Sequence, residues 1–171
     1  EGIDELDAQV RDHSEGREMT ANILPSASAE KHYPIAFNLI PQIDVFCDNL
    51  YTKEEMKMVN ETKKIMEDYE MRITATTIRV PVYRSHSESV NIELEKEVDL
   101  GAMREALAKF PGVTVQDDPS KQEYPMPLYT SEKDDVYVGR LRRDESCEKS
   151  YNMWVVGDQI RKGAALNTLQ I

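Results

Sequence analysis

The densest chemistry in the chain lies in Arg79-Val80-Pro81-Val82-Tyr83-Arg84-Ser85-His86-Ser87. Arg79 offers a planar fork that can grip a carboxylate through two parallel N–H bonds. As a histidine, His86 is of the residue type that can pass a proton to or from a reacting atom. The same residues equally describe a surface histidine among serine hydroxyls, beside an arginine in an ion pair. Spacing alone leaves both readings open. Strict strand alternation sends positions 79 and 86 to opposite faces. A shared site therefore requires the chain to bend between them, at Pro81 or Ser85.

A second constellation recurs at three- and four-residue steps: Glu54, Lys57, Glu61, Lys64 and Asp68. One account is a solvated helix face laced with ion pairs, each worth about 0.2–0.5 kcal/mol. The other sends the first turn into a cleft. Glu54 and Lys57 stand one turn apart on one face, where they can meet an ammonium and a phosphate respectively. The two cysteines, Cys47 and Cys147, show neither metal-ligand spacing nor a disulfide framework. That usage fits a reducing cytoplasm.

These side chains need elements to position them. Ile3, Leu6 and Val10 have helical spacing and predict a helix over 3–12. Residues 13–33 form a long polar stretch, which in a compact domain is functional or poorly ordered. Residues 34–46 are apolar and interrupted by Pro41, so extended chain with a bend is expected. Thr52 and Glu55 are spaced as a capping box before a helix over 53–68. Residues 72–83 and 87–98 are β-rich, and Val90, Ile92 and Leu94 alternate with polar residues as on a strand with one wet face. Asp99 caps a helix through Lys109 that Pro111-Gly112 stops. Three further strands are expected at 113–116, 136–142 and 151–156, the last central because it is continuously apolar. A final helix begins at Gly163 and runs to Ile171. The order predicts an α+β fold, a mixed sheet with helices on one side. The apolar runs 34–46 and 151–156 exceed what one small domain leaves uncovered, which predicts self-association.

The bulk properties narrow the function. With 171 residues the chain can bury one core. Its formal charge of -11 disfavours non-specific attachment to nucleic acid or an anionic membrane. No apolar run reaches membrane-spanning length, and the charged N-terminus is unlike a secretory signal. No Gly-rich dinucleotide turn or Walker pattern occurs, so any nucleotide must be held mainly by another domain.

The strings PIAFNLIPQIDVF, TKEEMKMVNETKKIM, TATTIRVPVYRSHSESV, VGRLRRD and MWVVGDQIRKGAALN resemble the C-terminal part of aspartate-semialdehyde dehydrogenases. They keep that family's order over nearly the whole chain. The resemblance implies the domain that follows the nucleotide domain in these enzymes and in glyceraldehyde-3-phosphate dehydrogenases. It implies an NADP-dependent enzyme converting aspartyl phosphate to aspartate semialdehyde, with phosphate as the other substrate-side ligand, for lysine, methionine and threonine synthesis in the cytoplasm. On that resemblance His86 aligns with the acid/base and Arg79 with the clamp on the substrate carboxylate. Glu54 aligns with the partner of the substrate ammonium, Lys57 with a phosphate-site lysine, and Gln159 with a residue touching the cofactor.

The departures are specific. The family's Gly-rich turn, its nucleophilic cysteine, its phosphate arginine and its substrate-orienting glutamine have no counterpart in the sequence. The expectation is a substrate and homodimerisation domain lacking the N-terminal nucleotide domain and the last helix, and inert by itself. Two alternatives remain: a non-catalytic dimerisation module of the same fold, and a related acyl-phosphate reductase such as the acetylglutamyl-phosphate enzyme. The second gives Glu54 no ammonium to meet.

Overall fold

A computed structural model describes residues 1–165 of the chain. The helix expected to reach Ile171 lies largely outside them, and Arg161–Ala165 forms a π-helical turn. The chain divides into two compact units, Glu1–Pro81 and a second beginning at Val82.

The first unit opens with helix α1, Gly2–Ser14. Its buried face differs from the one that apolar spacing predicts. Ile3 and Val10 are 47% and 42% exposed, whereas Glu5, Leu6 and Gln9 are buried. The polar pair is buried because a nearby loop meets most of its hydrogen-bonding atoms, Glu5 Oε2 excepted among the described residues. Gln9 donates to the Thr20 carbonyl and accepts the amide N–H groups of Ile35 and Ala36. Glu5 accepts the N–H of Asn22. The long connection after α1 is thereby tied to the helix at several points. Leu6, Ile35, Ala36 and Ile40 close the small apolar core beneath, with Met19 and Leu24 against them.

Residues 34–46 run without regular structure, and besides the Gln9 bonds they make two isolated bridges, Ile40 with Arg79 and Phe46 with Thr52. Phe37, Leu39 and Phe46 remain more than half exposed. Helix α2, Lys53–Ile65, starts at the expected capping box and ends three residues before position 68. The β-rich run at 72–83 is not a strand. Burial does alternate residue by residue from 71 to 80, as in extended chain with one covered face. Among the described residues, Arg79 with Ile40 is the one ladder-type pairing it makes. Alternation dictates an extended backbone, but a strand also needs a neighbour to take its N–H groups.

The second unit contains strand β1 (His86–Glu93), helix α3 (Leu100–Lys109), strand β2 (Val113–Val115), the one-turn helix α4 (Pro127–Thr130), and strands β3 (Val136–Arg143) and β4 (Ser150–Gly157). Among the described residues they build one mixed sheet in the order β1-β4-β3-β2, with β2 parallel to β3 and the other pairs antiparallel. β4 is internal, as its apolar run implies. Asp99 caps α3 by accepting the N–H groups of Gly101 and Ala102. Met103 of that helix packs on Leu141 and Tyr151, with Ile92, Leu107 and Met153 around them. The Tyr151 hydroxyl donates to the Val98 carbonyl and accepts its N–H, both at 2.7 Å, and so anchors the turn into α3 on the sheet. Tyr151 and Val156 are fully buried, contrary to an uncovered 151–156 run.

α3 covers the face that carries Ile92, Tyr151 and Met153. On the other face Pro125 accepts the Trp154 indole N–H and leads into α4. Gly139 makes that approach possible: a Cβ there would lie 2.6 Å from the Pro125 ring and 2.2 Å from the Gln116 carbonyl oxygen. A register shift between Gly139 and Arg142 follows, and Asp117 steadies it by accepting the Arg140 N–H while paired with Arg104.

Candidate functional site

In the first unit, the N-terminus of α2 organises the candidate residues. Thr52 is fully buried. Its hydroxyl accepts the Glu55 N–H at 3.3 Å, and the Glu55 carboxylate accepts the Thr52 N–H at 2.8 Å. The second Glu55 oxygen accepts the N–H of Thr77 at 2.9 Å. One buried carboxylate thus completes a cap and fastens the segment leading to Arg79. The hydroxyls of Tyr51 and Thr74, 2.9 Å apart, fasten it again.

Arg79 is held by its backbone, whose N–H and carbonyl both bond to Ile40, at 2.8 and 3.1 Å. Its guanidinium is only loosely occupied: Nη2 reaches the Pro25 carbonyl at 3.5 Å, and the buried Nε–H has no hydrogen-bond partner among the described residues. Glu54 and Lys57 pair with each other at 3.6 Å across one turn, both partly open to solvent. At that exposure the pair is weak, and either partner is free to exchange it for a ligand.

The Thr52 and Thr77 N–H groups hold the Glu55 carboxyl below its ordinary 4.5, while burial pushes the other way and is outweighed. A depressed folded-state value means the stabilisation is complete above about pH 4.5 and is lost as pH falls through the folded value. We expect the urea midpoint of the wild-type chain to drop on acidification below pH 4.5 more steeply than that of Glu55→Gln. Parallel curves would show that this carboxylate contributes nothing. Thr52→Ala, which removes the cap, should cost about 1 kcal/mol at neutral pH.

In the second unit, His86 opens β1 opposite Gly157 of β4 and is exposed. The bend expected at Pro81 or Ser85 falls at Ser85, whose φ is +77°, a left-handed value that a side-chain-bearing residue rarely adopts. Pro81 ends the first unit. Ser85 is buried and held twice. Its N–H donates to Gln159 Oε1 at 2.8 Å, and its hydroxyl lies 2.8 Å from that of buried Thr130. Beneath it, fully buried Asp158 accepts the N–H groups of Glu132, Ile160 and Arg161. Arg84 pairs with Glu132 at 2.8 Å and stands 3.6 Å from Asp158. Burial pushes the Asp158 carboxyl up, but the Glu132, Arg161 and Ile160 N–H groups and the Arg84 charge outweigh it and hold it below 3.8.

Of the residues singled out by sequence, Glu54, Lys57 and Arg79 therefore belong to the first unit, and His86 and Gln159 to the second. Gln159 is joined to the residue preceding His86. Cys47 is half-buried and Cys147 exposed, and both are free thiols. A shallow depression of about 340 Å3 on the sheet is lined by Ser89, Arg140, Arg142 and Trp154, among others, and by neither His86 nor Gln159. Glu55 was visible in the sequence only as a cap, and Thr77, Thr130 and Asp158 carried no signal. An isolated threonine or aspartate announces nothing until its partners are placed.

The family model for the semialdehyde dehydrogenase dimerisation domain matches residues 1–162. The chain belongs to that family. It is 47% identical to aspartate-semialdehyde dehydrogenase of Bacillus subtilis, with all of this chain and 50% of that protein covered. Against the Aquifex aeolicus enzyme of the same name it is 48% identical, covering 99% of this chain and 48% of that protein. The chain thus spans about half the length of these relatives. A crystal structure of aspartate semialdehyde dehydrogenase II from Vibrio cholerae, complexed with ASA, superposes with a TM-score of 0.88 at 40% identity, over 98% of this chain and 47% of that one. The fold of this semialdehyde dehydrogenase domain is accordingly the α+β fold of its solved relatives. Among its described residues no helix is long and apolar enough to cross a membrane.

Proposed function

We propose that this domain supplies the substrate grip, the proton-transfer group and the dimer contact of an aspartate-semialdehyde dehydrogenase, acting on aspartyl phosphate and aspartate semialdehyde in the cytoplasm. The observation that carries the reading is the Arg79 guanidinium. Its Nε–H is buried and, among the described residues, without a partner. Buried donors are rarely left unmatched, and a carboxylate is the acceptor that fits a guanidinium edge. The complex of the Vibrio cholerae relative with ASA supports a ligand of this class.

Arg79 holds the substrate α-carboxylate through its Nε and Nη edge. Glu54 accepts from the substrate ammonium, and Lys57 draws phosphate, each leaving its present partner. His86 takes the proton from the attacking thiol and later manages the proton on the substrate oxygen. That thiol is contributed by protein outside these 171 residues, because neither cysteine here lies in the family's nucleophile setting. Gln159 fits a minor share in cofactor binding. With its Oε1 on Ser85, its NH2 group is what it offers to an acceptor on the nicotinamide side. Reduction of the acyl group would draw its hydride from NADPH, whose remaining contacts would come from outside this chain. The family's dimerisation role is assigned to the sheet face opposite α3, where Ser89, Asn91, Asn152 and Trp154 alternate outward.

The test is direct. The purified 171-residue chain should show no phosphate-dependent reduction of NADP with aspartate semialdehyde. Supplying the rest of the enzyme should restore it. Robust NADPH formation by the chain alone would overturn this division of labour and make Cys47 or Cys147 the nucleophile.

A further inference from the structure

Two side chains, Gln159 and Thr130, converge on Ser85, the residue before His86. Ser85 sits at φ +77°, a conformation that costs a side-chain-bearing residue free energy and persists only where its surroundings impose it. The impositions are the Gln159 Oε1 that accepts the Ser85 N–H and the Thr130 hydroxyl that meets the Ser85 hydroxyl, each at 2.8 Å. Thr130 also donates to the Met126 carbonyl at 3.2 Å. A hydroxyl has one proton, so Thr130 spends its own on Met126 and Ser85 donates to Thr130. The chain of bonds has a fixed direction and ends on the backbone at the start of α4. Ser85 is 6% exposed and Thr130 1%, so water cannot replace either bond.

Two residues beyond His86's strand partner Gly157, Gln159 reaches back across the pairing. His86 is therefore fixed from both sides: by the ladder to β4 and by the pinned turn that precedes it. The left-handed turn sets the direction in which the chain enters β1, and with it the place from which the imidazole projects.

We infer that Ser85, Thr130 and Gln159 form a latch that positions His86 for proton transfer, with Thr130 and Gln159 acting as positioning residues through Ser85. This rests on the role proposed for His86. Chemistry is more sensitive to placement than binding is, because a misplaced acid/base leaves the substrate grip intact while missing the reacting atom. The latch should therefore appear in kcat and not in KM.

The experiment uses the complete enzyme with aspartate semialdehyde, phosphate and NADP. Thr130→Val removes the hydroxyl at nearly constant volume. Thr130→Ser keeps it. Ser85→Gly tolerates the positive φ and loses only the hydroxyl bond, so it remains informative if the valine variant folds poorly. Thr130→Val and Ser85→Gly should each lower kcat by roughly ten- to a hundredfold with KM little changed. Thr130→Ser should restore most of the rate. Amide hydrogen exchange at Ser85 should accelerate in Thr130→Val, independently of turnover. If Thr130→Ser falls as far as Thr130→Val, the position serves packing and the latch is overturned. If both disruptive variants keep normal kcat while His86→Gln does not, the latch fails and the role of His86 stands. A His86→Gln enzyme with normal kcat would remove the role of His86 and the latch together.

Discussion

In the complete enzyme, His86→Gln should lower kcat by roughly 10²–10⁴ with KM changed little. Glutamine keeps a hydrogen-bonding amide of similar reach but exchanges no proton near neutral pH. Binding interactions that use hydrogen bonds alone would survive it; general acid/base chemistry would not. The exposed position of His86 at the start of β1 makes a structural collapse an implausible source of the loss, since the residue is not part of the core. The measurement is steady-state kinetics across pH. The wild-type profile should show an ionisation that the variant lacks. Near-normal kcat in His86→Gln would return His86 to the status of a surface histidine and transfer the proton chemistry elsewhere.

The second large effect is expected at Arg79. Arg79→Lys keeps the positive charge and loses the fork, so the substrate carboxylate is met by a point charge with no matching edge. KM for aspartate semialdehyde should rise about ten- to a hundredfold, the range of a lost charge-assisted hydrogen bond, while kcat falls less. Glu54→Gln should also weaken substrate binding, and by less, because its pairing with Lys57 places it at a solvent-screened position. The contrast is informative: Arg79 is anchored by two backbone bonds to Ile40 and presents a buried N–H unmatched among the described residues. An Arg79→Lys enzyme with unchanged KM would disconnect this arginine from the carboxylate and leave its buried donor as a structural feature. Arginine supplied by another part of the enzyme would then be the clamp.

Local signals in the sequence were read well where their physics is local. The Thr52–Glu55 capping box, the Asp99 cap and the internal strand at 150–157 all depend on neighbours within a few residues or on uniform apolarity, and all are present. The run 72–83 shows the limit. Its alternation is real in burial, yet among the described residues its one ladder-type pairing is Arg79 with Ile40. The face of α1 shows another. Apolar spacing pointed to Ile3, Leu6 and Val10, but of these only Leu6 is buried, beside Glu5 and Gln9, to which a distant loop brings amides.

The candidate residues divide in the same way. Residue type alone made Arg79 a carboxylate clamp and His86 a proton carrier among other options, since guanidinium geometry and imidazole basicity belong to the side chains themselves. The similarity of long strings to one enzyme family selected among those options. Only the tertiary structure decided that Arg79 is fastened through Glu55 and Ile40, and that Ser85 is held in a left-handed turn by Gln159 and Thr130. Those bonds join residues 22 to 74 positions apart. No local pattern encodes them, because a side chain's partner is set by where the whole chain returns.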